Sequence, residues 1–151
     1  MGLLRFAAAI TVWVGICSAA PGDFTISLKV QAGQRQQAVV SGKPASVLTA
    51  KVKEVVWVQW AAVNGAVATL SDVTLHVFMD RGSARSDAPK PGPNTLYESA
   101  VILDFEPGGK SGGEFRMPMP TSGTYFVRAE TIGAGKKLGK EVVAAMEVSV
   151  Q

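Results

Sequence analysis

Apolar and polar residues alternate with a period of two along most of the chain. In the first such run, the apolar positions are Phe24, Ile26, Leu28 and Val30. Successive side chains of a β-strand point to opposite faces, so this period predicts half-buried strands. The pattern recurs in runs that cover residues 73–79, 97–105, 125–132 and 142–150.

Turn-forming residues separate these runs. Asn64-Gly65 is the sharpest two-residue hairpin signal, because both central positions of a type I′ turn need a positive φ. Downstream of residue 20, no segment shows a convincing helical stripe. Seven to nine short strands with Gly and Pro between them predict an all-β fold, an antiparallel β-sandwich, rather than a parallel α/β sheet.

The first 20 residues read as a targeting segment rather than as part of the sandwich. Arg5 supplies a positive start, residues 6–16 form an apolar stretch too short for a membrane span, and small residues follow. We therefore predict a signal peptide at 1–20, cleaved near Ala19 or Ala20, and a single domain at 21–151 of a secreted or periplasmic protein. Lipidation at Cys17 is the alternative, although Ile16 is bulky for a lipoprotein signal.

The charge of the chain excludes some partners. Removal of the targeting segment takes away one of the 15 basic residues and none of the 12 acidic residues, which leaves a net charge of about +2. So balanced a chain predicts no nucleic-acid partner. Cys17 is the only cysteine, so the predicted domain has no disulfide, and its length is enough to bury one ordinary core.

A short C-terminal stretch resembles a known superfamily. Pro120, Gly123 and the run Tyr125-Phe126-Val127-Arg128-Ala129 are similar to the penultimate strand of immunoglobulin-like and fibronectin-type domains, including bacterial secreted ones. The resemblance implies an immunoglobulin-like β-sandwich and covers some 30 residues of the C-terminal part. It also implies that the Tyr125 hydroxyl bonds back to nearby backbone. The cysteine pair of antibody domains is missing.

The Gly109-Lys110-Ser111-Gly112-Gly113 stretch contains fragments of two catalytic motifs. A phosphate loop needs a glycine at position 104, which is Asp, and a nucleophile elbow needs a histidine later in the chain. Both motifs also need a following helix, which the pattern does not predict. We interpret the stretch as a flexible hairpin loop and predict that the protein is not an enzyme and has no cofactor.

Classical metal sites lack their ligands, because the chain has one histidine and no cysteine beyond the targeting segment. A lone His76, on the strand face of Thr74 and Phe78, is interpreted as a surface residue. Copper(I) stays an alternative, since thioethers and an imidazole bind soft metals and strand pairing could bring four candidates together. These low-priority candidates are His76, Met79, Met117 and Met119; core packing of the methionines is the favoured interpretation.

Recognition is predicted at two places. The odd spacing of Trp57 and Trp60 places them on opposite faces of one strand, with Trp60 on the apolar core face and Trp57 beside Gln59 on the other. Trp57 is then either covered or available to a partner. The long polar loop 80–95 is either functional or disordered, and its candidate contact residues are Arg81, Arg85 and Lys90.

Taken together, these features predict a secreted or periplasmic, non-catalytic binding or scaffold module with a protein or polysaccharide partner. Two alternatives remain open at this point. One is a periplasmic copper carrier that uses the methionines and His76, and the other is a carbohydrate-binding module that uses Trp57 with Tyr97.

Overall fold

The computed structural model describes residues 23–83, 91–93 and 95–151. The predicted signal peptide with Cys17, and the loop residues Arg85 and Lys90, lie outside the described residues. Within the described part, nine strands and one short helix, α1 (Gly135–Leu138), follow one another. The strands are β1 (Phe24–Ala32), β2 (Arg35–Val40), β3 (Ser46–Ala50), β4 (Val55–Asn64), β5 (Leu70–Arg81), β6 (Tyr97–Phe105), β7 (Lys110–Pro118), β8 (Gly123–Ile132) and β9 (Val143–Val150).

The strands form two sheets that pack face to face, which confirms the all-β sandwich. A four-stranded sheet has the order β2-β1-β4-β7, and a five-stranded sheet has the order β3-β9-β8-β5-β6. All the pairs are antiparallel except β3 with β9, which run parallel. The alternation of residues predicted the strands but carries no information on this parallel pair.

The core lies between the sheets and consists of the inward rows that the alternation predicted. All five apolar positions of β1, including Ala32, are buried, and so are the inward residues of β9. On β4, Val56, Val58 and Ala62 are buried and Trp60 packs against the core, which confirms the predicted core face.

The prediction of a hairpin at Asn64-Gly65 is wrong. β4 ends at Asn64 in the four-stranded sheet, and the next strand, β5, belongs to the other sheet, so this segment crosses between the layers. The Asn64 amide is fully buried and donates to the carbonyl oxygens of Ala68, Phe105 and Glu106. Asn64 therefore holds a crossover in place rather than shaping a tight turn.

The prediction that the glycine-rich stretch after Phe105 forms a flexible hairpin loop is also wrong, because most of it belongs to a strand. The chain turns at residues 106–109 and again crosses between sheets, while Lys110 already begins β7. Ser111 lies inside this strand, with no helix after it. Gly113 faces Trp60, and a Cβ there would lie 2.7 Å from Trp60 Nε1. Glycine is needed because the indole ring occupies the space of a side chain.

Tyr125 makes the backbone contact that the resemblance implied. Its ring is buried, and its hydroxyl donates to the carbonyl oxygen of Thr121 at 2.9 Å. The Arg81 guanidinium donates to the same hydroxyl at 3.0 Å, and its carbon lies 5.2 Å from the ring centroid. This corner ties the start of β8 to the end of β5.

Candidate ligand-binding face

The outer face of the four-stranded sheet carries Trp57 on the inner strand β4, toward one end of the sheet. On β4, Trp57 pairs with Gln31 of β1 on one side and with Arg116 of β7 on the other. We call the outward residues around it the Trp57 face. They form rows across the strands, namely Gln31-Trp57-Arg116, Lys29-Gln59-Glu114 and Ser27-Ala61-Gly112.

Two polar contacts fix the half-buried indole ring of Trp57. Its Nε1 donates to Oε2 of Glu114 at 3.1 Å, and the guanidinium carbon of Arg116 lies 5.0 Å from the ring centroid. A cation over an aromatic face is attracted by the ring quadrupole. The ring is thus oriented in advance by a carboxylate and a guanidinium, whose remaining hydrogen-bonding capacity is available to a ligand.

The third row of the face is shallow because its side chains are small. Ser27, Ala61 and Gly112 lie side by side on three neighbouring strands, about 10 Å across. A Cβ at Gly112 would lie 2.7 Å from the carbonyl oxygen of Trp60, so the close approach of β7 to β4 requires glycine. The Trp57 face is therefore a trough with an aromatic ring two rows, or roughly 14 Å, from its shallow end.

The chemistry of the Trp57 face is that of recognition. Glu114 offers acceptor oxygens, Arg116 offers donors, and Trp57 offers an apolar ring face. Groups of this kind bind a polyhydroxylated or peptide-like surface by hydrogen bonds and stacking. Trp57 lies on the face that its spacing from Trp60 predicted.

Tyr97 does not join Trp57 in one aromatic platform, so that part of the carbohydrate hypothesis is wrong. Tyr97 lies on β6 of the other sheet and packs against the core. Its ring stacks on Phe115 of β7, with centroids 3.7 Å apart and planes inclined by 10°. Tyr97 thus links the two sheets at their side.

His76 is buried, which corrects its interpretation as a surface residue. It lies on the predicted outer face of β5, but only 6% of its area is exposed, and its ring stacks on Phe78 at 5.0 Å. Its Nε2 lies 2.9 Å from Glu98 Oε1, and its Nδ1 lies 3.6 Å from Glu130 Oε1. Neighbouring strands cover an imidazole that the sequence places at the surface.

The four copper candidates are not brought together. Met79 and Met119 are fully buried in the core, and Met117 packs against it, whereas His76 lies on the opposite face of β5. Among the residues that the structure describes, no three His, Cys, Asp or Glu side chains are grouped to hold a metal ion. The methionines fill the core, as the favoured interpretation predicted.

Loop 80–95 is described only at its two ends. Arg81 bonds to Thr121 and Tyr125, so this candidate contact residue is occupied within the fold. At the other end, the Thr95 hydroxyl donates to Asp80 Oδ2 at 3.1 Å. The ends of the loop are therefore tied to each other and to β8.

A cleft of about 370 Å³ opens at one end of the sandwich, beside α1 and the start of β1. Two of its charged residues, Lys137 and Glu141, are engaged in the fold. Lys137 Nζ donates to the carbonyl oxygen of Asp72 at 3.1 Å, and Glu141 accepts from the backbone N–H groups of Ala134 and Gly135. These contacts anchor the turn before β9, so the Trp57 face is the stronger candidate site.

The fold and the face define a β-sandwich protein without assigning it to a family. No family model matches the chain, and no curated protein matches its sequence. One matching solved structure is described as the C-terminal domain of wzt; it is 12% identical, over 82% of this chain and 70% of that chain, with a TM-score of 0.44. A likeness this distant assigns no ligand and does not support the finer immunoglobulin-like or fibronectin-type kinship. In the described part of the chain, no helix combines the length and apolarity that a membrane span requires.

Proposed function

We propose that this chain is an exported, non-catalytic binding module that holds its ligand on the Trp57 face. The observation that carries the proposal is the oriented indole of Trp57 on the outer face of a sheet, bonded to Glu114 and covered on one side by Arg116. Export rests on the apolar segment and small residues before residue 21. A binding role alone accounts for the contacts of Trp57 with Glu114 and Arg116, so no residue is assigned as acid, base or nucleophile.

We further propose a carbohydrate as the ligand, in preference to a protein partner. The core of a protein interface is usually depleted of lysine, glutamate and aspartate. The Trp57 face instead intersperses one ring with carboxylate, guanidinium, ammonium and amide groups, which suit the alternating hydroxyl and C–H surfaces of a sugar. The shallow row of Ser27, Ala61 and Gly112 provides room for a further sugar ring of the same polysaccharide, roughly 14 Å from the indole.

The test is binding of the purified protein to a panel of neutral and acidic soluble polysaccharides, followed by affinity electrophoresis and calorimetry. Trp57→Ala is expected to weaken binding by about tenfold or more, because a central aromatic anchor carries much of the binding energy. Val47→Ala is the control, since Val47 is similarly exposed, at 52%, but lies on β3 of the other sheet, away from the Trp57 face. Full affinity in Trp57→Ala, or no binding to any polysaccharide of the panel, would contradict the carbohydrate proposal.

Export has its own test. The protein recovered from the extracytoplasmic fraction is expected to begin at Ala20 or Pro21 when its N-terminus is sequenced, because cleavage follows small residues. A Cys17→Ser variant separates the lipoprotein alternative, since it would release a lipid-anchored protein and leave a cleaved one unchanged. Recovery of the uncleaved protein, with residues 1–20 still attached, from the cytoplasmic fraction would contradict export.

A further inference from the structure

Strand β6 forms one edge of the five-stranded sheet. It is nine residues long and pairs with β5 along one side, and no described strand pairs with its other side. Unpaired N–H and C=O groups along such an edge are a template for another strand. Natural edges are usually protected by charge, proline, a bulge or short length.

The other three edges of the sandwich carry such protection. β3 and β2 are only five and six residues long, and β2 begins with the charged Arg35. β7 carries exposed Lys110, Arg116 and Pro118. β6 contains no lysine, arginine or proline. It is therefore the least protected edge of the described fold.

The middle of β6 is a run of four apolar residues, Ala100-Val101-Ile102-Leu103. Ile102, which points outward, is 63% exposed, and Val101 and Leu103, which pack against the core, are only half-buried. An exposed edge with high β-propensity and no central charge is an aggregation hazard unless another chain covers it. The strand thus exposes both backbone and apolar side chains to a partner.

We propose that β6 pairs antiparallel with β6 of a second copy of this chain, centred on Ala100, to join two five-stranded sheets into one. Charge selects this register. Centring on Val101 would place Glu98 opposite Asp104 of the other copy, and like charges directly opposite are destabilising. Centring on Ala100 places Glu98 opposite Ile102 and opposes no carboxylates. Centring on Ile102 would pair the strand over the same length, but it would place Glu98 opposite Glu106 just beyond the strand.

The geometry of this dimer has a consequence for ligand binding, although the pairing of β6 does not depend on a ligand. In a continuous sheet the two-fold axis is perpendicular to the sheet, so both four-stranded sheets lie on the same side. The two Trp57 faces would then point in one direction and contact the same ligand surface. Two linked sites bind a repeating surface more tightly than either site alone.

Sedimentation equilibrium over a concentration series reaching about 200 µM tests the pairing, because dimer stability depends on protomer concentration. Ile102→Glu places a carboxylate opposite Glu98 of the other copy at two symmetry-related positions, and we expect dimerisation about tenfold weaker. Ile102→Lys places an ammonium there, and the dimer should stay within about threefold of the wild type. Val47→Glu is the matched control, because Val47 is 52% exposed on the opposite edge strand, β3.

Cross-linking gives a second readout that does not depend on charge. In a Cys17→Ser background, Ala100→Cys is the only cysteine, and on the two-fold axis its Cβ would lie about 5 Å from its symmetry mate, within reach of a short thiol-specific cross-linker. We expect a covalent dimer with Ala100→Cys and none with Val47→Cys. A monomeric wild type, equal weakening by both Ile102 variants, or failure of Ala100→Cys to cross-link would each overturn the proposal.

Discussion

Asn64 offers the sharpest test of how the two sheets are held together. Its side chain is fully buried at the crossover between β4 and β5. Nδ2 donates to Ala68 at 2.9 Å, to Phe105 at 3.3 Å and to Glu106 at 3.2 Å, while Oδ1 accepts from the N–H of Ala66 at 2.9 Å. Substitution by alanine removes all four contacts and leaves buried carbonyl groups without this donor.

The magnitude follows from the number and length of these bonds. A typical hydrogen bond contributes a net 0.5 to 1.5 kcal/mol, roughly, and an unsatisfied buried group costs more. With two short bonds counted in full and the two long ones at less, Asn64→Ala should lower the free energy of unfolding by about 2 to 4 kcal/mol. That is a large share of the roughly 5 to 15 kcal/mol that stabilises an ordinary domain.

Urea denaturation, followed by tryptophan fluorescence and circular dichroism, measures this loss. The slope with denaturant should stay unchanged while the midpoint falls. Asn64→Asp should be at least as destabilising at neutral pH, since it turns a carboxylate oxygen toward three carbonyl oxygens. Thr69→Ala is the control, because Thr69 lies exposed in the same crossover and makes one 3.2 Å bond to Glu106. A loss below about 1 kcal/mol in Asn64→Ala, similar to that of the control, would refute the reasoning.

Two further predictions concern pH and packing. The N–H of Lys51 and the guanidinium of Arg35 bond to Glu54 and hold its pKa below its usual 4.5. The stability that Glu54 contributes is present above pH 4.5 and is lost as the pH falls through the lower pKa of the folded state. The free energies of unfolding of wild type and Glu54→Gln should therefore differ at pH 7 and converge in acid. Urea titration at each pH measures both. Gly113→Ala should destabilise by about 1 to 3 kcal/mol and perturb the near-ultraviolet dichroism of Trp60, because a Cβ would lie 2.7 Å from Nε1. Unchanged stability in Gly113→Ala would show that the indole moves aside freely.

Local alternation in the sequence was enough to predict the class of fold and the position of the central tryptophans. β1 buries every second residue, and Trp57 and Trp60 lie on opposite faces of β4, because the pleat of a strand imposes a period of two wherever one face meets a core. The backbone bond of Tyr125 was implied by the resemblance to immunoglobulin-like and fibronectin-type domains rather than by alternation, and it joins residues only four apart.

What could not be predicted depends on contacts between distant segments. Asn-Gly is a good hairpin sequence, yet Asn64 serves a crossover, because its partners Phe105 and Glu106 lie some forty residues away. Position 113 lies in a strand and holds glycine because Trp60 of the neighbouring strand occupies the space that a side chain would need. No local signal distinguishes such a glycine from one in a loop.

The candidate site was predictable in its centre but not in its surroundings. Trp57 followed from spacing, whereas Glu114 and Arg116 were missed, since they meet the indole only after β7 pairs with β4. His76 was misplaced for the same reason, because Glu98 and Glu130 come from two other strands and cover it. A pairing partner for each strand was the missing information.

Strand β9 lies between β3 and β8, although it is the last in chain order of the nine strands in the described part of the chain. β3 has no other neighbour in its sheet, so it must wait for residues 143–150 before it can be incorporated. A chain that emerges from the ribosome, or threads through a translocation pore, with its N-terminal end first would expose β3 during the whole passage. The order of the strands thus delays completion of the sandwich until β9 has been synthesised or transported. Until then the chain stays incompletely folded, which is the state in which it can pass through a pore.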